Sequence, residues 1–79
     1  MKIELKYFGL LAEAIGKSKE ILEIEANCTV QQLQELVGER YPELQNKSFK
    51  VAVNQNLVDG TVVLSEKDEV ALLPPFAGG

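Results

Sequence analysis

The chain has little of what most catalytic and metal sites are built from. Its 79 residues include no histidine, no tryptophan and one cysteine, Cys28. A single cysteine excludes an internal disulfide, and it excludes an iron–sulfur cluster because such clusters need several thiolates. The commonest general base of enzymes, histidine, is also missing. These absences weaken an enzyme interpretation and favour a domain that folds on its apolar core in a reducing compartment.

Long apolar runs and basic clusters are absent from the sequence as well. No stretch approaches the roughly 18 apolar residues of a membrane span, nor the apolar segment of a signal peptide. The net charge is -4 and the eight Lys and Arg residues are scattered, which argues against binding to a phosphate backbone. We therefore expect a soluble, cytoplasmic protein of one domain, residues 1–79, whose acidic surface could steer a basic protein partner.

Alternation of apolar and polar residues predicts most of the secondary structure. Strands are predicted over residues 2–8, 21–26, 49–54 and 69–73. The sheet is also expected to resume in short apolar pieces at 57–58 and 61–64, which flank an Asp59-Gly60 turn. In residues 21–26 the buried face is expected to include Ala26. Residues 10–15 form a short helical piece that Gly16 can cap.

The main helix is predicted from Val30 to Tyr41 by apolar residues at helical spacing. Thr29 and Gln32 can form a capping box at its start, and Pro42 ends it. The element order is thus strand, strand, helix, then several strands. It indicates an α+β domain of the β-grasp, or ubiquitin-like, type, with a mixed sheet, one main helix on one face, and the last strand parallel to the first.

Two features inside the domain could suggest chemistry, and both have simpler interpretations. Cys28 precedes a helix start, but a lone cysteine there is more often a small packed residue than a nucleophile. Glu66, Asp68 and Glu69 lack the spacing and the glycine of a calcium loop, so we interpret them as a solvated turn. No metal site is predicted.

The C-terminal segment, Pro74 to Gly79, is the candidate functional site. Two prolines should end the sheet at Leu73 and send residues 74–79 away from the domain as a stiff, extended tail. Six residues reach on the order of 20 Å, enough to enter a partner's active site. The glycines can pass a narrow channel because they have no Cβ atom, which leaves the carboxylate of Gly79 to react. A frayed end or a cloning remnant is the alternative for Gly-Gly alone.

Three segments carry a resemblance to a known family: residues 51–55 (VAVNQ), residues 68–73 (DEVALL) and the closing PPFAGG. With Tyr7-Phe8-Gly9, they resemble the small, sulfur-carrying subunits of molybdopterin synthase along the full chain. The resemblance implies that an adenylating partner of the ubiquitin-activating type uses ATP and Mg²⁺ to activate the Gly79 carboxylate. A sulfur donor protein then converts it to a thiocarboxylate.

The same resemblance implies the destination of the sulfur. Pro75, Phe76, Ala77 and Gly78 would enter the large catalytic subunit of the synthase, and Gly79 would pass sulfur to cyclic pyranopterin monophosphate during molybdenum cofactor biosynthesis. Two copies of each subunit would assemble. The carrier itself would be non-catalytic and would bind no cofactor.

An apolar patch is expected at the root of the tail. Phe8 lies on the otherwise polar face of the first strand, Leu73 should share that face, and Phe76 follows beyond, as in a docking site. Phe8 could instead turn inward at the end of its strand. Three rival functions stay open: the sulfur carrier of thiamine thiazole synthesis, a ubiquitin-like protein modifier, and an interaction module with an inert tail.

Overall fold

In a computed structural model, which describes residues 1–45 and 48–74, the chain forms a five-stranded mixed sheet with its main helix on one face. The strands are β1 (Lys2–Tyr7), β2 (Lys19–Glu23), β3 (Lys50–Val53), β4 (Asn56–Val58) and β5 (Glu69–Leu73). The helices are α1 (Gly9–Ile15) and α2 (Val30–Arg40), and a short 3₁₀ helix (Pro42–Leu44) follows α2. None of the helices in these ranges has the length and apolar character needed to cross a bilayer.

The sheet has the order β2-β1-β5-β3-β4. β1 and β5 pair in parallel, whereas the other neighbours are antiparallel. The last strand thus lies beside the first and runs in the same direction, which confirms the predicted β-grasp arrangement. The division into a domain and a projecting tail stays a prediction, because residues 75–79 lie outside the described ranges.

The core lies between the sheet and α2. Side chains that are fully buried there come from the alternating positions of β1 and β5 and from the inner stripe of α2: Ile3, Leu5, Tyr7, Val30, Leu33, Val37, Val70 and Leu72. Cys28 is 9% exposed and belongs to the same cluster. It donates only a weak hydrogen bond, to the Thr29 carbonyl, so its interpretation as a small packed residue is supported.

The start of α2 is fixed by its own side chains and by a neighbouring loop. The predicted capping box is confirmed, since the Gln32 amide donates to the Thr29 hydroxyl and the Thr29 amide donates to the Gln32 side chain. The next free amides of the helix, those of Val30 and Gln31, donate to the carbonyls of Val62 and Gly60 at 2.9 and 3.0 Å. The backbone amides of residues 29 to 32, at the start of α2, are therefore all satisfied by hydrogen bonds, although no strand lies beside them.

The prediction that the sheet resumes at residues 61–64 is wrong. This segment forms one isolated bridge, between Thr29 and Val63, and no strand. Its backbone groups are used by the N-terminus of α2, so they are not free for a ladder. The prediction that Ala26 is buried is also wrong, because β2 ends at Glu23 and Ala26 is exposed before a turn at Asn27.

Strand β3 is shorter than predicted and does not alternate in burial. Val51, Ala52 and Val53 are all buried. Between β3 and β4 the chain turns through Asn54 and Gln55, whose φ angles are 52° and 72°. Two consecutive positive φ angles between paired strands define the tight hairpin turn that matches the twist of a sheet.

Candidate functional site

The two strands that lead to the candidate site end side by side. Tyr7 of β1 lies opposite Leu72 of β5, and the Phe8 amide continues the ladder by donating to the Leu72 carbonyl at 3.2 Å. Tyr7 and Leu72 point into the core, so Phe8 and Leu73, one residue further along, face the opposite side of the sheet. Phe8 is 45% exposed and Leu73 is half-buried. The side chain of Phe8 therefore faces outward, as the docking prediction required, and the alternative in which Phe8 turns inward is wrong.

Pro74, the first residue after β5, packs against Gly9. A Cβ atom on Gly9 would lie 2.9 Å from Cγ of Pro74, closer than real Cβ contacts come. Gly9 also has a φ of +58°, which an L side chain rarely adopts. Gly9 therefore serves two local requirements at once, the entry into α1 and the close approach of the chain leaving β5.

Sequence reasoning missed part of the apolar surface next to Phe8 and Leu73. Ala71 lies opposite Ala52, and Ala52 lies opposite Leu57 on the outer strand β4. Leu57 is 62% exposed, whereas Ala52 is buried and Ala71 is half-buried, so the surface beside Leu57 is low. We call Phe8, Leu73, Ala71, Ala52 and Leu57 the open-face patch. One signal in the sequence could have revealed part of this surface. Side chains alternate between the two faces along β5, which places Ala71 on the same face as Leu73.

Charged side chains border the patch on the same sheet face, since Lys6 lies opposite Ala71 and Lys50 lies opposite Leu73. Lys6 and Glu69 form an ion pair with 2.7 Å between Nζ and Oε2. The hydrogen bond and the charge of Glu69 raise the pKa of Lys6 above its ordinary value. An apolar area beside the tail root thus borders a polar area further along β1 and β5, as in an interface with a polar rim.

A partly buried carboxylate network ties the domain together beneath this face. Glu20 of β2 accepts hydrogen bonds from the hydroxyls of Tyr7 and Tyr41, and it pairs with Lys17 at 3.3 Å. Burial alone would raise the pKa of Glu20, but hydrogen bonds from Tyr41, Tyr7 and Lys17 lower it below 4.5. Burial, together with the bond to Glu20, raises the pKa of Tyr7. The network connects β1, β2 and the end of α2.

The acidic turn after residue 64 has a structural use. Asp68 accepts hydrogen bonds from the Ser65 amide at 2.8 Å and from the Asn54 side chain at 2.9 Å, and Asn54 in turn accepts from the Glu69 amide. Within residues 1–45 and 48–74, no group of three or more acidic, histidine or cysteine side chains could hold a metal ion.

The reactive end of the predicted site lies outside the described residues. This applies to Pro75, Phe76, Ala77, Gly78 and Gly79, so the tail-binding, reactive and Phe76 interface assignments stay predictions. The structure describes only the first residue of that segment, Pro74. It places Pro74 against Gly9 and beside the open-face patch.

Comparison with known proteins gives a match over nearly the whole chain. The model of the ThiS family matches residues 5–79. The molybdopterin synthase sulfur carrier subunit of Mycobacterium tuberculosis is 34% identical over an alignment that covers 100% of this chain and 99% of that protein.

Two solved structures extend the likeness to three dimensions. A Pyrococcus furiosus protein assigned as subunit 1 of molybdopterin converting factor superposes with a TM-score of 0.90 at 23% identity, covering 96% of this chain and 99% of that chain. At this identity the likeness shows the fold. A complex of subunits 1 and 2 of the molybdopterin-converting factor from Helicobacter pylori matches with a TM-score of 0.69 at 27% identity, over 100% of both chains.

Proposed function

This chain belongs to the ThiS family, and from that premise we propose that it is the sulfur carrier subunit of a molybdopterin synthase. The observation that carries the proposal is the end-to-end match to a sulfur carrier of that enzyme, which includes the C-terminal segment. In this proposal Gly79 is the reacting residue, and the rest of the chain folds, docks and positions it.

The chemistry follows from the weakness of a carboxylate as an electrophile. The adenylating partner transfers AMP from ATP to the Gly79 carboxylate and releases pyrophosphate, with Mg²⁺ on the partner. The outer sulfur of a persulfide on the donor protein then attacks the acyl carbon and AMP leaves, which gives an acyl disulfide. A second thiol breaks this S–S bond by forming a disulfide with the donor, and the thiocarboxylate is released. The large subunit would supply the catalytic groups for transfer to cyclic pyranopterin monophosphate. An ATP-dependent route agrees with a cytoplasmic location, which is part of the proposal.

The docking function is assigned to the open-face patch. Phe8 and Leu57 are large, exposed and apolar, and the patch begins where the chain leaves β5 at Pro74. A partner that covers this patch would receive the following residues directly into its own active site. The patch is apolar at its centre and is bordered by the Lys6–Glu69 pair and by Lys50, which lies opposite Leu73. This arrangement suits such an interface. Two copies of each subunit would form the complete synthase.

Reconstitution separates this proposal from its rivals. The chain is incubated with the adenylating enzyme, ATP and a sulfur source, and is then mixed with the large subunit and the pterin precursor. We expect a thiocarboxylate at Gly79 and conversion of the precursor. Isopeptide-linked adducts on other proteins without thiocarboxylate would indicate a protein modifier. A thiocarboxylate that supports thiazole formation and not precursor conversion would indicate the thiamine pathway.

A further inference from the structure

The outer edge of β2 is open for pairing. In the sheet order β2 is terminal and pairs with β1 alone. The Tyr7 amide donates to the Ser18 carbonyl, and the Ile24 amide donates to the Met1 carbonyl. Because hydrogen-bonded positions alternate along an antiparallel strand, the backbone groups of Lys19, Ile21 and Glu23 point away from β1. Among residues 1–45 and 48–74, no strand pairs with this edge.

This edge lacks two of the features that prevent strand addition, proline and a bulge. Residues 19–23 contain no proline, and they pair with β1 in continuous register without a bulge. Ile21 at the centre is 68% exposed. On the helix side of the same edge, Leu36 of α2 is 36% exposed beside Leu22. Apolar side chains therefore border the edge on both faces of the sheet.

The sequence of β2 is complementary to itself in one register. If two copies pair antiparallel about Ile21, each Lys19 lies opposite Glu23 of the other copy and the two Ile21 side chains meet on the axis. All three residues lie on the open face, so the opposed side chains are neighbours. A parallel pairing in register would place Lys19 against Lys19 and Glu23 against Glu23. In the antiparallel register, the outward N–H and C=O groups of Lys19, Ile21 and Glu23 would form the hydrogen bonds between the two copies.

We propose that the free edge of β2 binds the β2 edge of a second copy of this chain, giving a two-fold symmetric dimer with one continuous sheet. A contact made mainly by one short strand is small, so the dissociation constant should be on the order of 0.1 to 1 mM. β2 lies on the far side of β1 from β5, β3 and β4. The dimer therefore leaves most of the open-face patch accessible.

Concentration-dependent NMR and sedimentation velocity test the proposal with the full chain. Between about 20 µM and about 2 mM, a monomer–dimer equilibrium should appear, since weak interfaces dissociate in this range. The amides of Lys19, Ile21 and Glu23 should become slower in hydrogen exchange at the higher concentration. Leu57→Lys, at the opposite edge of the sheet, is the matched control and should dimerise like the wild type. Protection at β4 instead of β2 would overturn the proposal.

Charge exchange tests the register itself. Because of the two-fold axis, Lys19→Glu changes both ion pairs into Glu–Glu contacts, and Glu23→Lys changes both into Lys–Lys contacts. Each should weaken dimerisation by about tenfold, as opposed like charges destabilise strand pairs. The double variant K19E/E23K should restore it, and a mixture of the two single variants should form a heterodimer. Absence of dimer up to about 2 mM, or of rescue by the double variant, would contradict the proposal.

Discussion

Gly9 and Pro74 lie so close that a Cβ atom on Gly9 would be 2.9 Å from Cγ of Pro74. The contact joins the residue that starts α1 to the residue that leaves β5. It fixes where the C-terminal segment begins relative to Phe8. A glycine is required here by its φ of +58° and by the space that Pro74 occupies.

We expect Gly9→Ala to cost about 2 to 3 kcal/mol of unfolding free energy, because backbone strain and a steric clash act together. Gly16→Ala is the matched control. Gly16 also has a positive φ, of +87°, but apart from its own chain neighbours no heavy atom lies within 4 Å of the position that its Cβ atom would take. It should therefore lose about 1 to 2 kcal/mol from strain alone. Urea denaturation of both variants measures the difference, and equal losses would contradict a close Gly9–Pro74 contact.

The Glu20 network predicts acid sensitivity. The pKa of Glu20 is lower in the folded chain than its ordinary value of 4.5, so folding is stabilised above that value. This stability is lost as the pH falls below 4.5 and through the folded pKa. Glu20→Gln should cost about 1 to 3 kcal/mol at neutral pH, since hydrogen bonds to a charged group are lost.

The loss caused by Glu20→Gln should shrink on acidification, which unfolding curves from pH 7 to about pH 3 can measure. Glu13→Gln, at an exposed position of α1, is the control and should change stability by less than about 0.5 kcal/mol. A loss for Glu20→Gln that is constant across this range would show that the carboxylate charge does not stabilise the fold.

The open-face patch predicts which substitutions weaken docking. Phe8→Asp, Leu57→Asp and Leu73→Asp should each weaken binding to the large subunit by about tenfold or more, because a charge would be buried without a partner. Val63→Asp is the matched control. Val63 is 52% exposed, but its segment lies beside the start of α2 and not on the open face. Calorimetry measures the affinities, and wild-type binding by the three patch variants would place the docking surface elsewhere.

The last two residues of the C-terminal segment should be required for sulfur transfer but not for the stability of the fold. Deleting Gly78 and Gly79 should leave the melting temperature nearly unchanged, since the buried core of the part of the chain that the structure describes lies in residues 3–72. Sulfur transfer should be abolished, because the reactive carbonyl would move back by about 7 Å while catalytic geometry tolerates about 1 Å. Thermal denaturation and the reconstituted transfer assay measure the two effects. Unfolding of the shortened chain would show that the segment is structural.

Gly78→Val tests the narrow channel without shortening the chain. The substitution keeps the reach but adds a branched side chain and restricts the backbone, so adenylation or transfer should fail while folding persists. The same assay compares its rate with that of the wild type. Transfer at the wild-type rate would contradict the role assigned to the two glycines.

Prediction from sequence worked where one face of an element is buried. β1 and β5 alternate because one face packs on α2 and the other is open, and the capping box of α2 is a local pattern that sequence shows directly. The prediction of a strand at residues 61–64 failed for a physical reason. Their apolar pattern resembles a strand, but Val62 and Gly60 bind the first amides of α2, a tertiary contact that no local pattern reveals.

The candidate site was predictable in part for the same reason. Phe8 stands out as an apolar residue on the otherwise polar face of β1, and Leu73 was expected to share that face at the end of β5. Leu57 and Ala52 become neighbours only through the pairing of β3 with β4. The Glu20 network joins residues 13 and 21 positions apart, so its members carry no shared periodic signal. The Gly9–Pro74 contact needs the parallel pairing of β1 with β5.

The intact mass of the chain after incubation with its adenylating enzyme, ATP and a sulfur source tests the central claim most directly. We predict a species in which one sulfur atom replaces one oxygen atom, located by fragmentation to Gly79. The chain lacking Gly78 and Gly79 should show no such species under the same conditions. An unchanged mass for the wild-type chain, or sulfur located at Cys28 instead of Gly79, would contradict the assignment of this protein as a C-terminal sulfur carrier.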